Sequence, residues 1–450
     1  VAFKESIAYS KNLITGNKIE KTKKKIVAPV QGIATVKIYD SLNGKQIYEA
    51  KSENRISAIF ANSAYMDTYF YPMLENKQEY LLKDIYYTYP FRTMFLTTGD
   101  IPEDPYDYWS WGHVEGYADA WYPYSGSSEL MGTINAAETT YTIENGKGIK
   151  HFVFDFPTHC ANSTFQSIYW SSGSNDYTSA QVPNVNRLYY RKALIQGNLS
   201  IYNLCTDETA LYCLKSGYTD MMIFDKSTAE RKSNLNLSFS GYAMDYDGTN
   251  FWVLLSDGSF KKLDKSFNIV TSYSKSSAIP GTLVYGVNYY DIAVTSNYIY
   301  IAYNGCINTS GDSTYYRSCI AQYNKDGTFV RSVEIYMGTT ARVNITSITN
   351  NKLYAIINDK RCFQLNEDLG IYQDTGLSSY YLMSFTWDND RQTIFGYRDS
   401  STDSINEYNV VPASAHTLLP ETITKTPTNT MKIQYDFICD YVNPLDMPAH

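Results

Sequence analysis

Acidic and aromatic side chains are interleaved in one short stretch, residues 99–112. Asp100, Glu103, Asp104 and Asp107 stand there among Tyr106, Tyr108, Trp109 and Trp111. Flat aromatic faces stack on sugar rings, while carboxylates and amides bond sugar hydroxyls. The four aromatics of this loop, together with Trp252 and Trp387, are therefore the candidate glycan- or receptor-binding residues. Two carboxylates facing each other across a sugar would also serve glycoside hydrolysis, but any exposed acidic loop offers the same residues. No enzymatic activity is expected, and a glycan hydrolase is the alternative.

Asp245-Tyr-Asp-Gly-Thr-Asn250 has the look of a calcium loop, with Asp245 and Asp247 as candidate ligands. Counted from Asp245, the twelfth position is Ser256, where an EF-hand places a bidentate Glu. A hairpin turn is the better reading. Trp387-Asp-Asn-Asp-Arg391 is the same kind of turn further on, and that recurrence favours structure over metal binding. The histidines His113, His151, His159, His416 and His450 lie in no nucleophile-elbow context, and no Gly-rich phosphate loop occurs. The cysteines at 160, 205, 213, 306, 319, 362 and 439 include no C-x-x-C spacing. Cys205/Cys213 and Cys306/Cys319 flank short loops, yet buried thiols are expected over bridges. No cofactor is implied.

The elements that must hold these residues repeat. Phe251-Trp-Val-Leu-Leu-Ser-Asp-Gly-Ser-Phe-Lys-Lys-Leu-Asp-Lys265 gives the grammar: strand, turn, strand, closing apolar residue, polar residue, charge. Phe224, Leu263, Tyr323, Leu365 and Tyr408 are the closing residues, at steps of 39, 60, 42 and 43. Four-stranded propeller blades recur every ~40–50 residues. Five units are visible and 165–203 is a candidate sixth, or the source of a borrowed closing strand, so residues 171–411 are expected to form a β-propeller of five or six blades. Residues 273–280 and 304–316, inside the long step, are expected to be loop insertions.

Residues 1–30 are polar and basic and read as an extended arm; their Lys18–Lys25 run reads as a solvated stretch. Residues 31–170 alternate apolar and polar in several short runs, as a β-sandwich with long aromatic loops would. Ala34, Val36 and Ile38 share a face ahead of the hairpin signal Asn43-Gly44. The one plausible helix begins at Ser57 and runs to about Leu82. Residues 412–450 read as a linker followed by a strand, in which Met431, Ile433, Tyr435, Phe437 and Cys439 share a face. A lone strand does not stand by itself. It is expected to return to the sandwich, making the propeller an insertion in an all-β chain. The net charge of −8 and the absence of a long apolar run argue against nucleic-acid partners and membrane insertion. Tyrosine is abundant, with 44 residues, which suits half-buried strand faces as well as wet binding surfaces.

Three blocks resemble a group of tailed-bacteriophage virion proteins from Gram-positive hosts. They are the hairpin from Val36 through Asn43-Gly44 to Asn54; the middle block with Phe95-Leu-Thr, Gly116-Tyr-Ala, Tyr124-Ser-Gly126, Gly132-Thr-Ile-Asn135, Val153-Phe-Asp-Phe156 and Ala161-Asn-Ser-Thr-Phe-Gln-Ser167; and the ending Thr424-Lys-Thr426 with Thr430-Met-Lys-Ile-Gln-Tyr435. The chain departs from the pattern at Ser163, where Gly is expected after Asn162. The resemblance covers roughly 30–170 and 420–440 and carries no catalytic residue. It implies a structural component of the virion, in the tail, baseplate, neck or head fibre, in contact with other virion proteins and with copies of itself. The propeller would face outward and could meet a host-surface glycan. A host-glycan adhesin is the alternative main role.

Overall fold

The computed structural model describes residues 3–26, 30–56, 91–107, 109–171, 188–197, 199–215, 219–277, 285–308, 314–338, 342–357, 361–377, 382–391, 393–398, 404–410 and 413–440. The expected helix after Ser57 lies outside them. The described residues are almost entirely antiparallel β-structure, arranged in seven sheets. Among them no helix is long and apolar enough to cross a membrane. The chain divides into two units, Val1–Asn186 with Val411–His450, and Arg187–Val410.

In the first unit, two sheets share one core. The larger runs in the order Lys18–Ile26, Phe3–Asn12, Gln46–Glu53, Val30–Asp40, Asn429–Asp440, Lys147–Phe156, Thr133–Ile134, with Thr140–Glu144 also on Lys147–Phe156. The smaller runs Arg55–Ile56, Ala413–Thr424, Thr164–Ser171, Thr93–Thr97, Val114–Asp119. Alternation does what a half-buried sheet requires. Ala34, Val36 and Ile38 point inward from one strand, and Met431, Ile433, Tyr435, Phe437 and Cys439 from its neighbour.

Three expectations need correction here. Residues 3–26, expected to belong to an extended arm over 1–30, are not one. Phe3–Asn12 and Lys18–Ile26 form a hairpin at the edge of the larger sheet, and lysines along the outermost strand discourage further strand addition. The linker expected over 411–420 is, from Ala413 on, part of a twelve-residue strand, Ala413–Thr424, beside Thr164–Ser171. The Asn43-Gly44 signal does not close a two-residue turn. Asp40 Oδ1 accepts from the N–H groups of Leu42 and Asn43, and Gly44 takes φ 68° in a longer loop.

The second unit holds five four-stranded sheets. Four are built from consecutive strands, spanning Ile201–Asn236, Ala243–Tyr273, Tyr285–Gly338 and Val343–Leu377. The fifth takes Ser384–Asp388, Thr393–Arg398 and Ser404–Val410 from the end of the unit and its fourth strand, Leu188–Gln196, from the beginning. Among the described residues, 165–203 supply the closing strand Leu188–Gln196 and no sixth sheet. The first strands of successive sheets lie side by side, and that of the fifth lies against that of the first. All five closing residues of the sequence repeat sit on third strands. Residues 304–308 and 314–316 are not loop: they lengthen the hairpin Tyr298–Asn308/Thr314–Asn324.

Candidate functional site

The repeat grammar becomes intelligible as a set of ties between sheets. After the first strands of the first, second and fifth sheets comes a tight turn capped by an aspartate side chain. Asp207 Oδ1 accepts from Thr209 N and Ala210 N, both at 2.7 Å. Asp247 Oδ1 accepts from Thr249 N at 3.0 Å and Asn250 N at 2.8 Å. Asp388 Oδ1 accepts from Asp390 N at 3.0 Å and Arg391 N at 3.3 Å. Short polar side chains bonding their own turn are what such positions select.

In four of the five repeats the closing charge reaches to the sheet before it. Lys226 of the first sheet reaches Asp388 and Asp390 of the fifth, at 3.2 and 3.1 Å. Lys265 of the second reaches Glu208 of the first at 3.6 Å. Lys325 of the third reaches Asp247 of the second at 3.0 Å. Glu367 of the fourth accepts from Asn297 of the third at 3.0 Å.

Asp247 is thus the hub of a turn. Its second oxygen takes the Trp252 indole N–H at 2.8 Å and the Lys325 ammonium. Burial pushes the Asp247 carboxyl up, but the bonds from Trp252, Asn250 and Lys325 outweigh it and hold the group below its ordinary value. A lysine stands where a calcium ion would have to sit, and among the described residues no His, Cys, Asp and Glu side chains cluster as a metal site. Millimolar calcium is expected to leave the melting temperature unchanged. Asp247→Ala is expected to cost about 3 kcal/mol in urea unfolding, since it strands an ammonium, an indole N–H and two turn N–H groups together.

Where the first strands meet, a second set of ties runs round all five. Asn203 Oδ1 accepts from Met244 N at 2.8 Å. Asp245 Oδ2 accepts from Val294 N at 2.7 Å. Asp291 Oδ2 accepts from Ile345 N at 3.1 Å. Thr346 Oγ1 accepts from Trp387 N at 3.0 Å, and Ser384 Oγ accepts from Leu204 N at 2.9 Å. Each first strand satisfies a backbone N–H of the next, and the fifth satisfies the first. Asn203 also donates to Asp291 Oδ1 at 3.0 Å, linking the first sheet to the third. Polar side chains therefore fill this level. Burial pushes the carboxyl of Asp245 up to about 7 and that of Asp291 up to about 8, against the pull of the N–H groups they accept.

At the N-terminal ends of the same strands the lining changes to Tyr202, Tyr242, Tyr290, Arg342 and Met383, one from each sheet and each half-buried. The Arg342 guanidinium lies 5.5 Å from the Tyr202 ring centre and 5.9 Å from that of Tyr290. The Tyr202 and Tyr242 rings meet edge-on at 4.4 Å, with their hydroxyls bonded. Arg342 donates to Met383 O at 2.5 Å and to Asn344 Oδ1 at 3.3 Å. These side chains were not legible as a site, because they come from five separate segments. Their one shared signal is position, one to three residues ahead of a buried polar residue on a first strand.

The residues singled out from the sequence are not brought together. Tyr106 is 67% exposed. Tyr108 lies outside the described residues. Trp109, Trp111, Trp252 and Trp387 are buried, at 1%, 1%, 0% and 7% exposure, so their faces are core and not a stacking surface. The acids of the aromatic loop are also engaged. Asp107 takes the Trp111 indole N–H at 2.6 Å and the Trp109 N–H at 3.0 Å. Asp104 caps Tyr106 N, and Glu103 accepts from Leu418 N at 2.8 Å. Asp245 is buried in the centre of the second unit and Asp247 at one of its turns. Ser167 Oγ lies 3.0 Å from His416 Nε2, but it is fully buried and donates to Gly99 O at 2.6 Å. All the described cysteine side chains are buried free thiols, Cys205 and Cys213 included.

No family model matches the chain, and no curated protein matches it. Among solved structures, the glutaminyl cyclase of Myxococcus xanthus is similar over 50% of this chain and 97% of its own, at 9% identity and a TM-score of 0.37.

Proposed function

We propose that the chain is a structural component of a tailed-phage virion, in which a β-sandwich assembles with the particle and an inserted five-bladed β-propeller is displayed for recognition. The virion part rests on the resemblance of the three sequence blocks. The propeller part is supported by the cyclic order of the first strands and by the fifth sheet, whose fourth strand comes from the opposite end of the unit; such a closure ties a ring shut.

The observation that carries the assembly role is the edge hairpin 3–26. Ile7 and Ile14 are 61% and 70% exposed there, and Leu13 and Ile19 are 38% and 39% exposed. Large apolar side chains left exposed along a hairpin at a sheet edge support a surface that is covered in use. The central carboxylates support recognition over catalysis, because their oxygens are occupied by backbone and amide N–H groups.

Mass spectrometry of purified particles tests the proposal: the chain is expected as a stoichiometric multi-copy component. The double variant Ile7→Lys/Ile14→Lys is expected to fold, with an unchanged melting temperature, and to be lost from particles by about tenfold or more. Normal incorporation of that variant would dismiss the hairpin as the contact. Absence of the chain from particles would dismiss the virion reading.

A further inference from the structure

We propose that Asn145 is a self-modification site, where the fold leaves an Asn-Gly pair free to cyclise and then hydrolyse to aspartate and isoaspartate. This holds whether or not the chain enters a particle.

The reaction is local. The backbone nitrogen of a glycine attacks Cγ of the asparagine before it. A new C–N bond forms, the Cγ–Nδ2 bond breaks, and ammonia leaves with the proton of the attacking N–H, so a cyclic imide remains. Water then adds to one of the two ring carbonyls. One opening restores the chain as aspartate. The other runs the chain through Cβ and Cγ as isoaspartate. Glycine is the favourable neighbour, because no Cβ shields its nitrogen and its backbone is the least restricted.

The chain has three such pairs, Asn43-Gly44, Asn145-Gly146 and Asn304-Gly305, and they stand in different surroundings. Asn304 is 2% exposed within the strand Tyr298–Asn308, and Gly305 has a strand on either side, opposite Val287 and Arg317. Asn43 and Gly44 are exposed but bonded. Asn43 Oδ1 accepts from Lys45 N at 2.8 Å, and Gly44 N donates to Asp40 O at 2.9 Å. Electrophile and nucleophile are both held.

Asn145 and Gly146 are exposed, with φ of 52° and 71°. They form the two-residue turn between Thr140–Glu144 and Lys147–Phe156, whose last paired residues are Glu144 and Lys147. Positive φ at both central positions is the type I′ arrangement. The ladder closes across such a turn, between its flanking residues, and leaves the second central N–H to water. Among the described residues none bonds the Asn145 side chain or the Gly146 N–H. A Cβ on Gly146 would meet nothing within 4 Å, so the imide ring has room.

The position sets the consequence. Thr140–Glu144 pairs with Lys147–Phe156 and with no other described strand. Isoaspartate puts an extra carbon into the backbone of a turn whose twist must match its two strands. It also sets a carboxylate next to Glu144. The strand therefore frays from its Glu144 end, while the two-sheet core behind it stays packed. The site acts as a slow, one-way release of an edge strand.

Peptide mapping by mass spectrometry tests this on the full chain, incubated in mildly alkaline buffer made with ¹⁸O-water so that only conversion during the incubation is labelled. Asn145 is expected to convert at least about tenfold faster than Asn43, where two hydrogen bonds must first break. Asn304 should stay unlabelled, and the Asn145 peptide should give two products of equal mass. Hydrogen exchange on the aged protein should show protection lost over 140–144. Asn145→Asp, which adds the charge on an ordinary backbone, should keep most of that protection. Conversion at Asn43 or Asn304 as fast as at Asn145, or at none of the three, would overturn the proposal. Full protection of 140–144 in protein converted at Asn145 would overturn the release of the strand.

Discussion

Trp170→Ala is expected to destabilise the first unit by about 3–5 kcal/mol, the cost of removing a large aromatic from a packed core. Trp170 is fully buried on the smaller sheet. Its ring centre lies 5.2 Å from Phe152, 5.7 Å from Phe154, 5.1 Å from Tyr435 and 5.2 Å from Phe437. All four belong to two adjacent strands of the larger sheet. The indole is therefore the contact through which the sheets hold each other, and the strands it touches come from the middle and the end of the chain. Domains are commonly stable by only ~5–15 kcal/mol, so this one cavity removes a large share. Trp170→Phe, which keeps a ring in place, is expected to cost about 1–2 kcal/mol. Hydrogen exchange read by peptide checks both. Protection should fall across 91–171 and 413–440 and stay unchanged across 199–410. Uniform loss over the whole chain, or no loss, would refute the assignment of Trp170 to a core belonging to the first unit alone.

How far the sequence could be read follows from what each signal depends on. The alternation in Val30–Asp40 and Asn429–Asp440 is local, because a strand with one face in a core must place every second residue there. It was legible without any partner. The repeat was legible for a similar reason. A buried closing residue, an Asp or Asn that caps a turn and a charge follow one another within three positions, as in Phe224-Asp225-Lys226. The purpose of that charge was not legible, since Lys226 meets Asp388 and Asp390 only after the fifth sheet closes on the first. The fourth strand of the fifth sheet was legible only as far as the segment 165–203 that could lend a closing strand: Leu188–Gln196 pairs with Ser404–Val410, and pairing between distant segments leaves no local period.

The tryptophans show the opposite failure, a signal that was present and misread. Trp111 follows Asp107 by four residues and Trp252 follows Asp247 by five. In both, the carboxylate takes the indole N–H and lets the ring enter the core with its one polar atom satisfied. An acid shortly before a tryptophan therefore argued for burial as well as for sugar binding. The hairpin 3–26 was misread because charge along Lys18–Ile26 looked like a solvated tail, whereas an edge strand carries the same composition.

Raising the pH from 5 to 8.5 is expected to destabilise the second unit, and Asp291→Asn is expected to flatten that dependence. An aspartate in an unfolded chain titrates near ~3.9. In the folded protein Asp291 is pushed up to about 8 and Asp245 to about 7, in each case first by burial. Between these limits the folded state keeps protons that the unfolded chain has released. The stability this contributes is complete below the unfolded value. It declines as pH rises and is exhausted once both folded values are passed. The slope is at most about 1.4 kcal/mol per pH unit for each group. Carboxylates held low, such as Asp207 and Asp247, work in the opposite sense, but their contribution is lost on acidification. Above pH 5 they leave the slope to the central pair.

Asp291→Asn removes one of those protons from the balance. It also sets an amide N–H₂ among donors, since Asn203 Nδ2, Ile292 N and Ile345 N all point at this side chain. The variant should be less stable than the parent at pH 5, by about 1–3 kcal/mol, and should lose stability more slowly as pH rises. Thermal unfolding across the pH series decides the matter. A parent midpoint that stays level or climbs between pH 5 and 8.5 would show that these carboxylates are ionised in the folded ring.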